Sequence, residues 1–112
     1  MTKMNFMLQY AQNFLMEKLM DIFQFADEIG KELIIRRYPR QSRFICEFVN
    51  GEIKERMDSC ALVSEYGDGK TVNDAVLNYV DKIRGKILVF NAMSSNLRIV
   101  LLVPKNLKTK KV

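Results

Sequence analysis

The sequence predicts an α+β fold, in which a long N-terminal helix precedes an antiparallel sheet with one packed helix, in the order αβββαββ. Apolar residues recur at three- and four-residue steps near the amino terminus and again over 72–83, while short apolar runs bounded by turn residues indicate strands. A chain of 112 residues, 48% hydrophobic and 28% charged, is sufficient for one globular core. We expect an amphipathic helix over 1–32, an α+β domain over 33–104 and a basic tail over 105–112.

The first predicted helix extends from Met4 to Ile29, and Gly30 suits its carboxyl end. Besides its main apolar stripe, the helix has a second apolar patch formed by Met16, Met20 and Phe23. This patch lies on the face that should contact water. It is either a contact surface for a partner, including a second copy in a homodimer, or part of a helix covered on both sides by its own domain.

Two predicted strands, Leu33–Arg37 and Arg43–Val49, form a hairpin with concentrated positive charge. Its candidate binding residues are Arg36, Arg37, Tyr38, Arg40 and Arg43. Arginines beside an aromatic ring suit contact with nucleic acid or with an acidic partner. The alternative is an edge hairpin that charge protects from aggregation.

The most regular part of the sequence is a loop that leads into a second helix. After a third predicted strand over Cys60–Tyr66, we expect Gly67 and Gly69 to supply positive φ angles at a tight turn. Thr71 is the expected N-cap of a helix over 72–83. Strands over 86–90 and 97–103 complete the predicted order, separated by a polar stretch over 91–96.

The composition excludes most enzyme classes. The chain contains no histidine, which removes Ser-His-Asp triads, Cys-His dyads and histidine-ligated metal sites. Gly69–Thr71 imitates the end of a phosphate-binding P-loop, but Ser64 stands where that motif requires its first glycine. We therefore predict a protein that is not an enzyme and that uses no cofactor or metal.

Acidic residues offer the one enzymatic alternative, a metal-dependent nuclease. Asp68 and Asp74 flank the loop, and Asp58 and Glu65 flank the third predicted strand. Such a nuclease needs these carboxylates to converge on metal ions. Helix capping and surface charge explain the same residues more simply.

The cysteines and the amino terminus bear on the cellular compartment. Cys46 and Cys60 form no Cys-x-x-Cys motif, and two buried thiols are the simplest expectation. Polar residues interrupt the apolar amino terminus, which argues against a signal peptide or a membrane span. We expect a protein of the host-cell cytoplasm that does not bind membranes.

The run VSEYGDGKTVNDAVLNYVDKIRGK resembles the strand, glycine loop and helix of HicB-like antitoxins, which have a partial RNase H-like fold. The run RGKILVFNA and a last strand ending at Val103-Pro104 are similar to small phage and prophage proteins. The resemblance covers 33–104 and implies a catalytically inactive module that binds and occludes an enzyme. The sequence departs from the family because no DNA-binding segment follows Val103 and a helix precedes residue 33.

The leading hypothesis is therefore a phage-derived binding protein that inhibits a nucleic-acid-processing enzyme, as an anti-CRISPR or antitoxin-like factor does. Its protein target would contact the basic hairpin or the acidic stretch over 52–58. A direct DNA- or RNA-binding protein is the second hypothesis. The metal-dependent nuclease is the third.

Overall fold

A computed structural model of the chain describes residues 20–109, which form two helices and six strands. These elements are α1 (Ile22–Ile29), β1 (Leu33–Tyr38), β2 (Arg43–Phe48), β3 (Gly51–Lys54), β4 (Gly67–Gly69), α2 (Val72–Ile83), β5 (Ile87–Phe90) and β6 (Ile99–Leu102). The α+β class is confirmed. The strands, however, form two three-stranded antiparallel sheets, ordered β1-β2-β4 and β3-β5-β6, rather than one.

The two sheets meet at the turn between β2 and β3. Val49 and Asn50 form this turn, and Asn50 has a left-handed φ of 58°. The Val49 N–H donates to the Glu32 carbonyl at 3.0 Å, and the Asn91 N–H donates to the Asn50 carbonyl at 3.2 Å. The ends of β1 and β5 therefore lie next to each other at this junction.

Phe48 lies at the centre of the hydrophobic core. Its ring is 6.2 Å from that of Phe25 on α1, 6.1 Å from that of Tyr79 on α2 and 5.6 Å from that of Phe90 on β5. The Tyr79 hydroxyl accepts a hydrogen bond from the Phe48 N–H at 3.0 Å. Burial raises the pKa of Tyr79, so this hydroxyl stays protonated far above neutral pH. One residue thus joins both helices to both sheets.

Gly67 and Gly69 belong to a strand and not to a turn. β4 pairs with β2, with Gly67 opposite Cys46 and Gly69 opposite Phe44. A Cβ atom on Gly67 would lie 2.2 Å from the carbonyl oxygen of Ala75 in α2. Neither glycine has a positive φ angle, so the expectation that they supply one is wrong. Their lack of a side chain instead allows α2 to pack closely on β4.

The start of α2 agrees with the sequence. Thr71 is the N-cap, and its hydroxyl accepts a hydrogen bond from the Asp74 N–H at 3.0 Å. The helix extends over Val72–Ile83, as its apolar spacing predicts. The loop residue Thr71 is therefore confirmed as a cap.

The prediction of one helix from residue 4 to residue 29 is wrong at residue 21. Asp21 has an extended backbone and caps α1, because its carboxylate accepts from the N–H groups of Phe23 and Gln24. The Gln24 side chain accepts from the Asp21 N–H in return, which completes a capping box. Gly30 ends the helix with a left-handed φ of 66°, as expected. The earlier part of the predicted helix lies outside the described residues.

The region between β3 and α2 differs from the sequence prediction in two ways. β3 was not predicted, and the strand expected over 60–66 is wrong. Within that range, Val63 forms a single bridge with Ile53, and regular pairing begins only at Gly67.

Residues 105–109, the described part of the predicted tail, fold back on the domain. Leu107 is buried, and the Ile22 N–H donates to the Lys108 carbonyl at 2.9 Å.

The expectation of two buried thiols is correct for one cysteine only. Both cysteines are free, with Cys46 buried and Cys60 exposed. Burial, with a smaller contribution from Glu47, raises the pKa of Cys46 to about 12.

Neither helix in 20–109 has the length and apolar character needed to cross a membrane.

Candidate binding surface

The loop over residues 91–98, between β5 and β6, exposes large apolar side chains to solvent. Met93 is 98% exposed and Leu97 is 63% exposed. Hydrogen bonds fix the loop: the Asn91 amide donates to the Leu97 carbonyl at 3.1 Å, and the Leu97 N–H donates to the Ser94 hydroxyl at 3.0 Å. The exposed side chains therefore project from an ordered loop, which lowers the entropic cost of contacting a partner.

An open cleft of about 650 Å³ lies beside this loop, at the junction of the two sheets. The sequence does not predict this cleft, because the pattern of 91–96 indicates only a polar connection between two strands. Its polar lining comes from two glutamates, two asparagines and two serines, and its apolar lining includes residues of β1, the 49–50 turn and the exposed loop. Its lining side chains include Ile34, Glu47, Glu52, Ser64, Met93 and Leu97.

The two glutamates make the cleft acidic. Glu47 accepts a hydrogen bond from the Arg36 guanidinium, so its charge is largely compensated. Glu52 accepts only a long hydrogen bond from the Ser64 hydroxyl, at 3.4 Å, and has no ion pair within 20–109. One carboxylate is therefore available to a cation that enters the cleft.

The basic hairpin carries less free positive charge than its sequence suggests. Arg36 pairs with Glu47, and the Nε atom of Arg43 donates to Asp68 Oδ1 at 2.8 Å. The hydrogen bond from Arg43 lowers the pKa of Asp68, and the same contact raises the pKa of Arg43. These two cations are already matched by carboxylates on the same face of the sheet.

The other hairpin residues remain exposed. Tyr38 is 42% exposed and ends β1, and Arg40 lies in the short 3-10 turn over Pro39–Gln41. Arg37 and Arg40 form no ion pair with any residue in the described range. Two arginines rather than four are thus free to contact an anionic partner.

The predicted apolar patch of Met16, Met20 and Phe23 is described only in part. Met16 lies outside the described residues. Met20 and Phe23 are half-buried and pack against the core. This packing agrees with the alternative of a helix covered by its own domain, and a partner-binding role for the patch stays a prediction.

Three of the four acidic residues considered for metal binding, Asp58, Glu65 and Asp68, lie in ion pairs with basic side chains. Asp68 pairs with Arg43 at 2.8 Å and Asp58 with Arg56 at 3.0 Å. Within 20–109, no three cysteine or carboxylate side chains lie close enough together to hold a metal ion.

Comparisons with known proteins gave no match. No protein-family model matches the chain, and no curated protein and no solved structure gives a significant match. The resemblance to HicB-like antitoxins stays a prediction.

Proposed function

We propose that this chain is a non-enzymatic binding protein that inhibits a nucleic-acid-processing enzyme by holding a basic segment of that enzyme in the cleft. The observation that carries the proposal is the combination of the uncompensated Glu52 with the exposed Met93 and Leu97 at one site. Lysine and arginine have long aliphatic stems and charged ends, so they need both kinds of surface. Enzymes that handle nucleic acid present such residues to the phosphate backbone.

The ordered loop supports a protein partner over a small molecule. Met93 and Leu97 stand outside the cleft as well as lining it, so a ligand confined to the cleft would leave most of their surface in water. Flexible methionine side chains adapt to partner surfaces of different shapes. A protein segment that crosses the cleft mouth would cover these side chains and pair with Glu52.

The experiment uses the full chain as bait for proteins from a bacterial lysate, followed by nuclease assays of the retained proteins. We expect the unmodified chain to retain a nuclease and to suppress its activity. Glu52→Lys and Met93→Lys should each weaken retention at least about tenfold, since each removes one of the two contacts. Met57→Lys is the matched control, because Met57 is 65% exposed and lies outside the cleft.

Two results would contradict this proposal. Retention of the same proteins by the chain and by both cleft variants would show that the cleft is not the contact site. Full nuclease activity in the retained complex would show that binding does not inhibit the enzyme.

Direct binding of nucleic acid is a second candidate, favoured by the exposed Tyr38 beside Arg37 and Arg40. It predicts binding of a labelled DNA or RNA oligonucleotide that weakens steeply with added salt. Arg40→Gln should reduce this binding, whereas Met93→Lys should not. The pairing of Arg36 and Arg43 with carboxylates makes a protein partner the better supported of the two.

A further inference from the structure

Strand β6 has an edge without a strand partner within 20–109. It lies at the end of the sheet order β3-β5-β6 and pairs with β5 along its whole length. The Val103 N–H donates to the Lys86 carbonyl at 2.9 Å, and hydrogen-bonded pairs alternate along an antiparallel ladder. The main-chain N–H and C=O groups of Val100 and Leu102 therefore point away from β5, toward the open edge.

This edge is apolar as well as open. The strand reads Ile-Val-Leu-Leu, Leu102 is 62% exposed and Ile99 is 38% exposed. Proteins usually protect open edges with charged residues, proline or a bulge, because unpaired backbone groups attract other strands. None of these lies within the four residues of β6, although Arg98 stands immediately before the strand and Pro104 two residues after it. The unprotected edge is therefore limited to the strand itself.

The other strand edges in the described part of the chain are closed or charged. β1 carries Arg36 and Arg37, so pairing with its own copy would bring like charges together. The outer side of β4 is occupied, because the Asp68 N–H donates to Asn78 Oδ1 at 3.0 Å. Val63 bridges the outer side of β3. Among these strands, β6 alone combines open backbone groups with an uncharged surface.

We propose that β6 pairs antiparallel with β6 of a second copy of this chain, which joins their sheets into one six-stranded sheet. With the two-fold axis at Leu101, Val100 of one copy lies opposite Leu102 of the other, and the outward backbone groups form about four hydrogen bonds. An uncharged strand paired with itself brings no like charges together. A two-fold contact also closes on itself, so the assembly stops at a dimer.

The first test measures the mass of the full chain by light scattering over a range of concentrations. We expect a dimer whose Val100 and Leu102 amide hydrogens become more protected from exchange as protein concentration rises. Val100→Pro removes an N–H that β5 does not use, and we expect it to raise the dimer dissociation constant at least about tenfold. Leu102→Lys gives a second disruption without a backbone change, and Leu77→Lys on α2, 44% exposed in the native chain, is its matched control.

The second test examines the register. Val100→Glu and Leu102→Lys should each be monomeric alone, because each places a charge at the apolar contact. In the proposed register, residue 100 of one variant faces residue 102 of the other, so mixing the two should form a heterodimer through a glutamate–lysine pair. A mixture that stays monomeric would overturn this register.

Three further results would overturn the proposal itself. A monomer with rapidly exchanging Val100 and Leu102 amides would mean that the edge stays open. A monomer with protected amides at every concentration would mean that other residues of the same chain cover the edge. A dimer that persists in both Val100→Pro and Leu102→Lys would place the interface elsewhere. Met93→Lys should leave the dimer intact, which separates this proposal from the proposed function.

Discussion

Gly67 is the residue at which one added methyl group should cost the fold most. A Cβ atom there would meet the Ala75 carbonyl oxygen at 2.2 Å and Tyr79 Cβ at 2.5 Å, so α2 would have to move away from β4. We expect Gly67→Ala to lower the free energy of unfolding by about 3 kcal/mol or more. Gly30→Ala is the control. A Cβ atom at Gly30 would meet no atom within 4 Å, but the residue has a φ of 66°. We therefore expect this substitution to lower the free energy of unfolding by only about 1–2 kcal/mol. Urea denaturation measures both, and an equal loss would show that α2 does not need this close contact.

Cys46 should make stability depend on pH in the alkaline range. Burial raises the pKa of the folded thiol from 9.0 to about 12, so the unfolded chain loses this proton first as pH rises. The thiol's contribution is fully present below pH 9 and is lost between pH 9 and 12 at about 1.4 kcal/mol per pH unit.

The comparison of unfolding free energies at pH 8 and pH 10, in urea with reductant, isolates this effect. Between these two values we expect the unmodified chain to lose about 1.4 kcal/mol more than Cys46→Ala does. Cys60→Ala retains the buried thiol of Cys46, so its free energy of unfolding should decrease between pH 8 and pH 10 as much as that of the unmodified chain. Parallel losses in the unmodified chain and Cys46→Ala would exclude a contribution from this thiol.

At the scale of the secondary-structure elements, the capping box decides where α1 begins. Asp21→Ala removes the acceptor for the N–H groups of Phe23 and Gln24, and we expect a loss of about 1 kcal/mol in unfolding free energy. Asp27→Ala is the matched control. It removes a negative charge near the carboxyl end of the same helix and should be neutral or slightly stabilising. Equal losses in the two variants would contradict the capping role.

The sequence predicts elements well where the local signal is complete. The bounds of α2 follow from its apolar spacing and from Thr71 as N-cap. The break at residue 21 was missed because the apolar spacing continues through it, although the pair Asp21 and Gln24 is itself a capping signal. β4 was missed because glycines usually indicate turns, and its strand depends on contact with α2, which only the tertiary structure supplies.

For the binding surface, the sequence shows which charged residues are present but not which of them pair with each other or where the cleft lies. The hairpin arginines are visible in the sequence, but their neutralisation by Glu47 and Asp68 depends on the cross-strand pairing of β1, β2 and β4. The cleft depends on the turn at residues 49–50, which places the ends of β1 and β5 side by side. Such contacts between residues distant in sequence have no local signal in a single chain.

At the scale of the whole molecule, the short connection from β2 to β3 should make the two sheets unfold together. Phe48 ends β2, contacts aromatic rings from α1, α2 and β5, and lies three residues before β3 begins at Gly51. A cavity at Phe48 therefore weakens the packing of both sheets. Independent unfolding of one sheet would require this shared core to separate, which exposes apolar surface on both sides.

Phe48→Ala tests this coupling. We expect it to reduce the free energy of unfolding by about 4 kcal/mol, because it deletes a buried aromatic ring. Native-state hydrogen exchange should show the same reduction for amides of β1–β2 and of β5–β6, since both depend on one transition. Leu77→Ala, on the exposed face of α2, should change neither set by more than about 0.5 kcal/mol. A loss of protection confined to β1–β2, with β5–β6 unchanged, would show that the sheets are separate folding units.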